Sequence, residues 1–213
     1  FDAWRHEVLN DASRLTHYLW HIDTRMNWGE PWGKATRQGQ IEQRLVNQAY
    51  FERNLFPRMF GWFQLRLASE GLEATSLDDM EWVLSKCAGY DSGFALSASL
   101  EALDRNGQTT AILNTVKTWE DARLAEAFSE EQTIQLRNPA NDFHLEAEGE
   151  AMWRLCPVDF SETFSYQEVT LQPGEPGEAE WVFHNAYDAQ NLSFVLRVLP
   201  DVGTLVTEDS VAP

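Results

Sequence analysis

The sequence predicts an α/β region followed by an all-β module, and three observations carry that prediction. Helical segments alternate with short segments that read as buried strands through the first half of the chain. Helical periodicity then stops at "RNPANDFHLE", residues 137–146. Five of the eight prolines lie beyond residue 140, where short strand-like runs are separated by turn residues.

The elements follow in order. Ile41, Leu45 and Ala49 recur at helical spacing, and Pro57 in "RNLFPRM" bars further helix. "MFGWFQLRLAS", 59–69, is apolar on both faces, as a strand buried between layers is. "TSLDDMEWVLSKCAGY" reads as a helix capped by Thr75 or Ser76, with Asp78, Asp79 and Glu81 complementing its dipole and Gly89 near its exit. "SGFALSAS", 92–99, is a second buried strand, and "QTTAILNTVKTWEDARLAEAFSEEQ" is one long helix with Ile112, Val116 and Trp119 on its apolar stripe. Strand, helix, strand, helix at this spacing predicts parallel α/β architecture, either the tail of a (β/α) barrel or an open doubly wound sheet. Beyond it, "FHLEAEGEAMWRL", "TFSYQEVTLQ", "EWVFHNAY" and "LSFVLRVL", with "QPGEPGEAE" as a turn, predict a small antiparallel β-sandwich. The expected division is residues 1–140 and 141–213.

Charge narrows the partners. The net charge is -18, yet residues 1–66 hold nine Lys/Arg against seven Asp/Glu, so the acidity belongs to the rest of the chain. Phosphate backbones and anionic membranes require clustered cations, so neither nucleic acid nor membrane is expected as a partner. No apolar run approaches the roughly 18–20 residues of a membrane-spanning helix. The compartment is unmarked, a periplasmic or secreted one remaining open. Cys87 and Cys156 are expected as free, packed thiols. The chain opens at Phe1 on "FDAWRHEVLN", which reads as the inside of an amphipathic helix, and a processed chain or the C-terminal part of a longer one is expected.

Chemistry concentrates in "HYLWHIDTRMNWGEPWGK", residues 17–34, which gathers three tryptophans, two histidines, an aspartate and a glutamate. If "RLTHYLWHID" ends a parallel strand, Asp23 to Gly33 forms the loop at its C-terminal end, where α/β folds place their sites. Trp28 and Trp32 would offer flat faces to a sugar ring, with His17, His21 and Asn27 as hydrogen-bonding partners. Glu30, shielded between the two tryptophans, is the candidate proton donor, and Asp23 is the second carboxylate. Glycoside hydrolysis needs two carboxyls roughly 5–9.5 Å apart, one to protonate the leaving oxygen and one to attack or to activate water. Trp62 and Asp91 complete the candidate sugar-binding set. The same residues would also serve as a barrel plug and a pinned turn. His17 and His21 have no third ligand at metal spacing, so no metal is expected. No Gly-rich phosphate loop, nucleophile elbow or Cys-x-x-Cys occurs, and no cofactor is expected. "WVFHNAYDAQNLSFVLRVL" carries Trp181, His184, Asn185, Tyr187 and Gln190, a mixture also found on carbohydrate-binding modules, with packing as its other reading.

"NWGEP" is similar to the Asn-Glu-Pro acid/base signature of the large retaining glycosidase superfamily with (β/α)8 barrels, although two residues separate Asn27 from Glu30. "RNLFPRMFGWF", "DMEWVLSKCAGYDSGFAL" and "TWEDARLAEAF", followed by a β module, resemble the last strands and helices of bacterial polysaccharide-degrading barrel hydrolases. The resemblance implies a glycoside hydrolase, or part of one, acting on a carbohydrate substrate, with an upstream segment or companion chain completing the barrel. A non-catalytic carbohydrate-binding or structural portion of a larger enzyme, and a polysaccharide lyase, are the alternatives.

Overall fold

A computed structural model describes residues 11–12, 25–26, 37–53, 58–69, 73–160, 180–182 and 184–189. The chain divides into two compact units, Phe1–Cys156 and Pro157–Pro213. In the first, β1 (Asp11–Ala12) pairs in parallel with β2 (Arg25–Met26). Helix α1 (Arg37–Arg53) leads to β3 (Met59–Leu65), and α2 (Leu77–Gly89) crosses to β4 (Gly93–Ala98), which pairs with β3 in parallel. Three helices follow, α3 (Leu100–Arg105), α4 (Thr109–Leu124) and α5 (Glu130–Arg137), before a two-stranded sheet of β5 (Asp142–Gly149) and β6 (Met152–Val158). Among the described residues each sheet has two strands, and neither a closed barrel nor a sandwich is present.

Helix α2 is the centre of this unit because every residue from Met80 to Gly89 is buried, the polar Glu81, Ser85 and Lys86 among them. Met80, Leu84 and Ala88 lie in one core cluster with Ala102, Ile112, Trp119, Leu136 and Leu145. Trp82, Val83 and Cys87 lie in the other with Ile41, Phe60 and Phe63. One helix therefore joins the β3 side to the later helices and β5. Its start is set by Ser76, whose hydroxyl accepts from the Asp79 N–H. Thr75, the other expected cap, instead donates to the Gln64 carbonyl at 2.7 Å and accepts from the Arg66 N–H. Its end closes tightly on α5: a Cβ at Gly89 would lie 2.8 Å from the Arg137 backbone nitrogen, so no larger residue fits without backbone movement.

Two expected elements differ. The single long helix of residues 108–132 is two helices, α4 and α5. Glu126 adopts φ 53°, while Ala127 N–H returns to the Ala122 carbonyl and Glu126 N–H to that of Arg123, which ends α4. Ser129 then starts α5 with a capping box, its hydroxyl accepting from Gln132 N–H and the Gln132 side chain accepting from Ser129 N–H. The run "FHLEAEGEAMWRL" is not one strand but a hairpin turning at Glu150–Ala151, with Ala151 at φ 57°. Leu145 of this hairpin is buried in the α2 core cluster. The expected strands at 163–172 and 192–199 lie outside the described residues, and residues 180–182 and 184–187 of "EWVFHNAY" are irregular. Both cysteines are free and buried. No helix among the described residues is long and apolar enough to cross a membrane.

Candidate functional site

His17, His21, Asp23, Asn27, Glu30, Trp28 and Trp32 lie outside the described residues. The chain on either side of them is informative. β2 ends at Met26 and runs parallel to β1, so the segment beginning with Asn27 leaves from the C-terminal end of a parallel strand. The expected strand ended at Asp23, whereas the observed one starts at Arg25.

Trp62 sits partly buried in β3, beside a register irregularity between Met59 and Trp62 that Gly61 permits at φ 109°. The Trp62 carbonyl accepts from Arg44 of α1 at 2.8 Å, and the Met59 carbonyl accepts from Gln48 at 3.0 Å. Arg44 also lies 4.4 Å from the centroid of the Phe63 ring. Gln48 is held in turn by the Ser92 hydroxyl at 2.6 Å. These buried polar side chains of α1 fasten the bulged part of β3.

Asp91 lies just before β4, at the end opposite to that where parallel strands carry sites. It adopts φ 45°, its N–H bonds the Ala88 carbonyl, and the following Ser92 N–H bonds that of Cys87, which closes α2. Its carboxylate accepts from Arg123 at 2.9 Å, and Arg123 is also paired with Glu120.

Among the described residues the densest arrangement of ionisable groups is one that sequence reading did not assemble. Glu81 was expected to complement the α2 dipole, but it lies one turn inside the helix, with its side chain only 10% exposed. Its Oε1 accepts from Trp119 Nε1 of α4 at 3.0 Å and from the Leu145 N–H of β5 at 3.1 Å. His144 Nδ1 lies 2.9 and 3.0 Å from its two oxygens. The opposite nitrogen, Nε2, is 3.8 Å from Glu146, whose carboxylate is paired with Arg154; Arg154 also meets Glu148 at 3.0 Å. The hydrogen bond to Glu81 raises the His144 pKa above the ordinary imidazole value, against the opposing effect of partial burial. A glutamate inside the apolar run "MEWVL" was the available signal.

This constellation has no nucleophile to activate. Burial pushes the thiols of Cys87 and Cys156 up, so neither is a ready thiolate. No group of three or more His, Cys, Asp or Glu among the described residues could hold a metal ion. In the second unit, Trp181, His184, Asn185 and Tyr187 are exposed, and Asn185 accepts from the Tyr187 N–H at 3.0 Å in a local turn. Gln190 lies outside the described residues.

The chain matches no protein-family model, no curated protein and no solved structure.

Proposed function

We propose that the chain is a glycoside hydrolase, or part of one, that cleaves a polysaccharide or glycan by carboxylate acid/base chemistry, with residues 17–34 forming its sugar site. The observation that carries this reading is the parallel pairing of β1 and β2. It makes "NWGEPWG" the segment that follows the C-terminal end of a parallel strand, the position from which α/β folds build sites. The parallel β3–α2–β4 unit supports the same architecture, since a parallel pair normally belongs to a larger sheet covered on both faces. In this reading an upstream segment or companion chain completes a (β/α) barrel, and the β5–β6 hairpin opens an antiparallel sandwich.

Within the site Glu30 donates the proton to the leaving glycosidic oxygen and Trp28 and Trp32 hold the apolar sugar face, while Asp23, proposed to attack the anomeric carbon or to activate water, precedes β2 and draws no support from the strand's C-terminal end. His17, His21, Asn27 and Trp62 supply further substrate contacts. Asp91 is the weakest member of the set, because its placement and its bond to Arg123 account for it as a helix-exit residue.

Product analysis on a panel of neutral and uronate-containing polysaccharides tests the proposal. New reducing ends without an ultraviolet-absorbing unsaturated uronate are expected. Unsaturated products would overturn it in favour of a lyase, and binding without any release would overturn it in favour of a non-catalytic carbohydrate-binding portion.

A further inference from the structure

We propose that Glu81 and His144 form a pH-sensitive latch that fastens the β5–β6 hairpin to α2, tight while the imidazole is protonated and loosened as it becomes neutral. The latch stands on geometry. Glu81 is buried on the central helix and gathers three donors from two other elements: Trp119 Nε1 of α4, and His144 Nδ1 and the Leu145 N–H of β5. Leu145 is packed in the same core, so the ion pair and the apolar contact seat the hairpin together. His144 is 45% exposed, so protons reach it from solvent without unfolding.

The charges around the imidazole set the direction of the response. Glu81 faces Nδ1 from α2, Glu146 of β5 faces Nε2 at 3.8 Å, and Arg154 of β6 is paired with Glu146 and Glu148. From α4 the neutral indole of Trp119 donates to the same Glu81 carboxylate. Two carboxylates thus meet the ring, while the one cation beside them is engaged with carboxylates. The folded-state pKa of His144 is raised, so its contribution is fully present below the unfolded value of about 6.5 and is lost as pH rises through the folded value. The neutral ring keeps an Nδ1–H toward Glu81, so the latch loosens without opening fully.

The test is an NMR titration of the full chain, with the His144 resonance assigned by its absence in His144→Gln, together with hydrogen exchange at the Leu145 amide corrected for intrinsic rate. The His144 midpoint should lie above that of an ordinary imidazole and fall back toward it in Glu81→Gln. Opening at Leu145 should increase severalfold from pH 6 to pH 8.5 in the parent and stay level in His144→Gln. A midpoint at or below the ordinary value, or an unchanged pH response of Leu145 in His144→Gln, would overturn the latch. Should Glu81→Gln fail to fold, the parent still gives the His144 midpoint and His144→Gln the comparison of exchange at Leu145.

Discussion

The two ends of α2 each bury an ionisable side chain, and they use it differently. Near the start, Glu81 accepts from an indole, an imidazole and a backbone amide. Near the exit, Lys86 is fully buried beside the Trp82 ring and donates to the carbonyls of Asn138 and Asn141 at 2.7 and 2.6 Å. Trp82 adds a bond from Nε1 to the Pro139 carbonyl, so this end grips the whole turn that precedes β5. Carbonyls do not titrate, whereas an imidazole does, and that is what the contrast teaches. One helix holds the turn before β5 at its exit and β5 itself near its start, and the contact through Glu81 is the one that responds to pH.

Lys86→Met should have the largest effect. It keeps most of the stem's packing but removes two charge-assisted, part-buried hydrogen bonds to the Asn138 and Asn141 carbonyls, a loss of about 3 kcal/mol. Urea unfolding of the parent and the variant should show this loss. A loss below about 1 kcal/mol would mean that the exit end does not depend on the ammonium.

Gly89→Ala should come next, because the new methyl would meet the Arg137 nitrogen at 2.8 Å and the Leu136 carbonyl carbon at 2.9 Å, both backbone atoms. Overpacking of this kind costs about 2 kcal/mol. The Arg137 bond to the Gly89 carbonyl, 2.6 Å in the parent, should break with it, and thermal unfolding of the variant would register both. An unchanged melting temperature would show that α5 can back away from α2, so that the exit grip rests on Lys86 and Trp82.

Much of this arrangement was legible in the sequence where the information is local. Ser76 as a cap, Pro57 after α1, and the apolar runs that became β3 and β4 are all short-range signals. The break between α4 and α5 was readable in part, since "SEEQ" is a capping-box pattern, but Glu126 at positive φ carries no such mark. The Glu81 cluster was not legible, because Trp119 lies 38 residues away and the Leu145 amide 64. An acid early in a helix satisfies the dipole rule equally well whether it ends in water or in a core. Asp91 shows the converse: a residue singled out for chemistry has a full local explanation in closing α2 and pairing with Arg123.

The hydrolase reading places its chemistry in residues 17–34, and Glu30→Gln tests that most directly. On a polysaccharide that the parent chain cleaves, the variant keeps the side chain's shape and removes its transferable proton. Turnover should fall by roughly 100-fold or more while substrate binding is largely retained. A rate within a few-fold of the parent would contradict the assignment and reduce residues 17–34 to a binding platform.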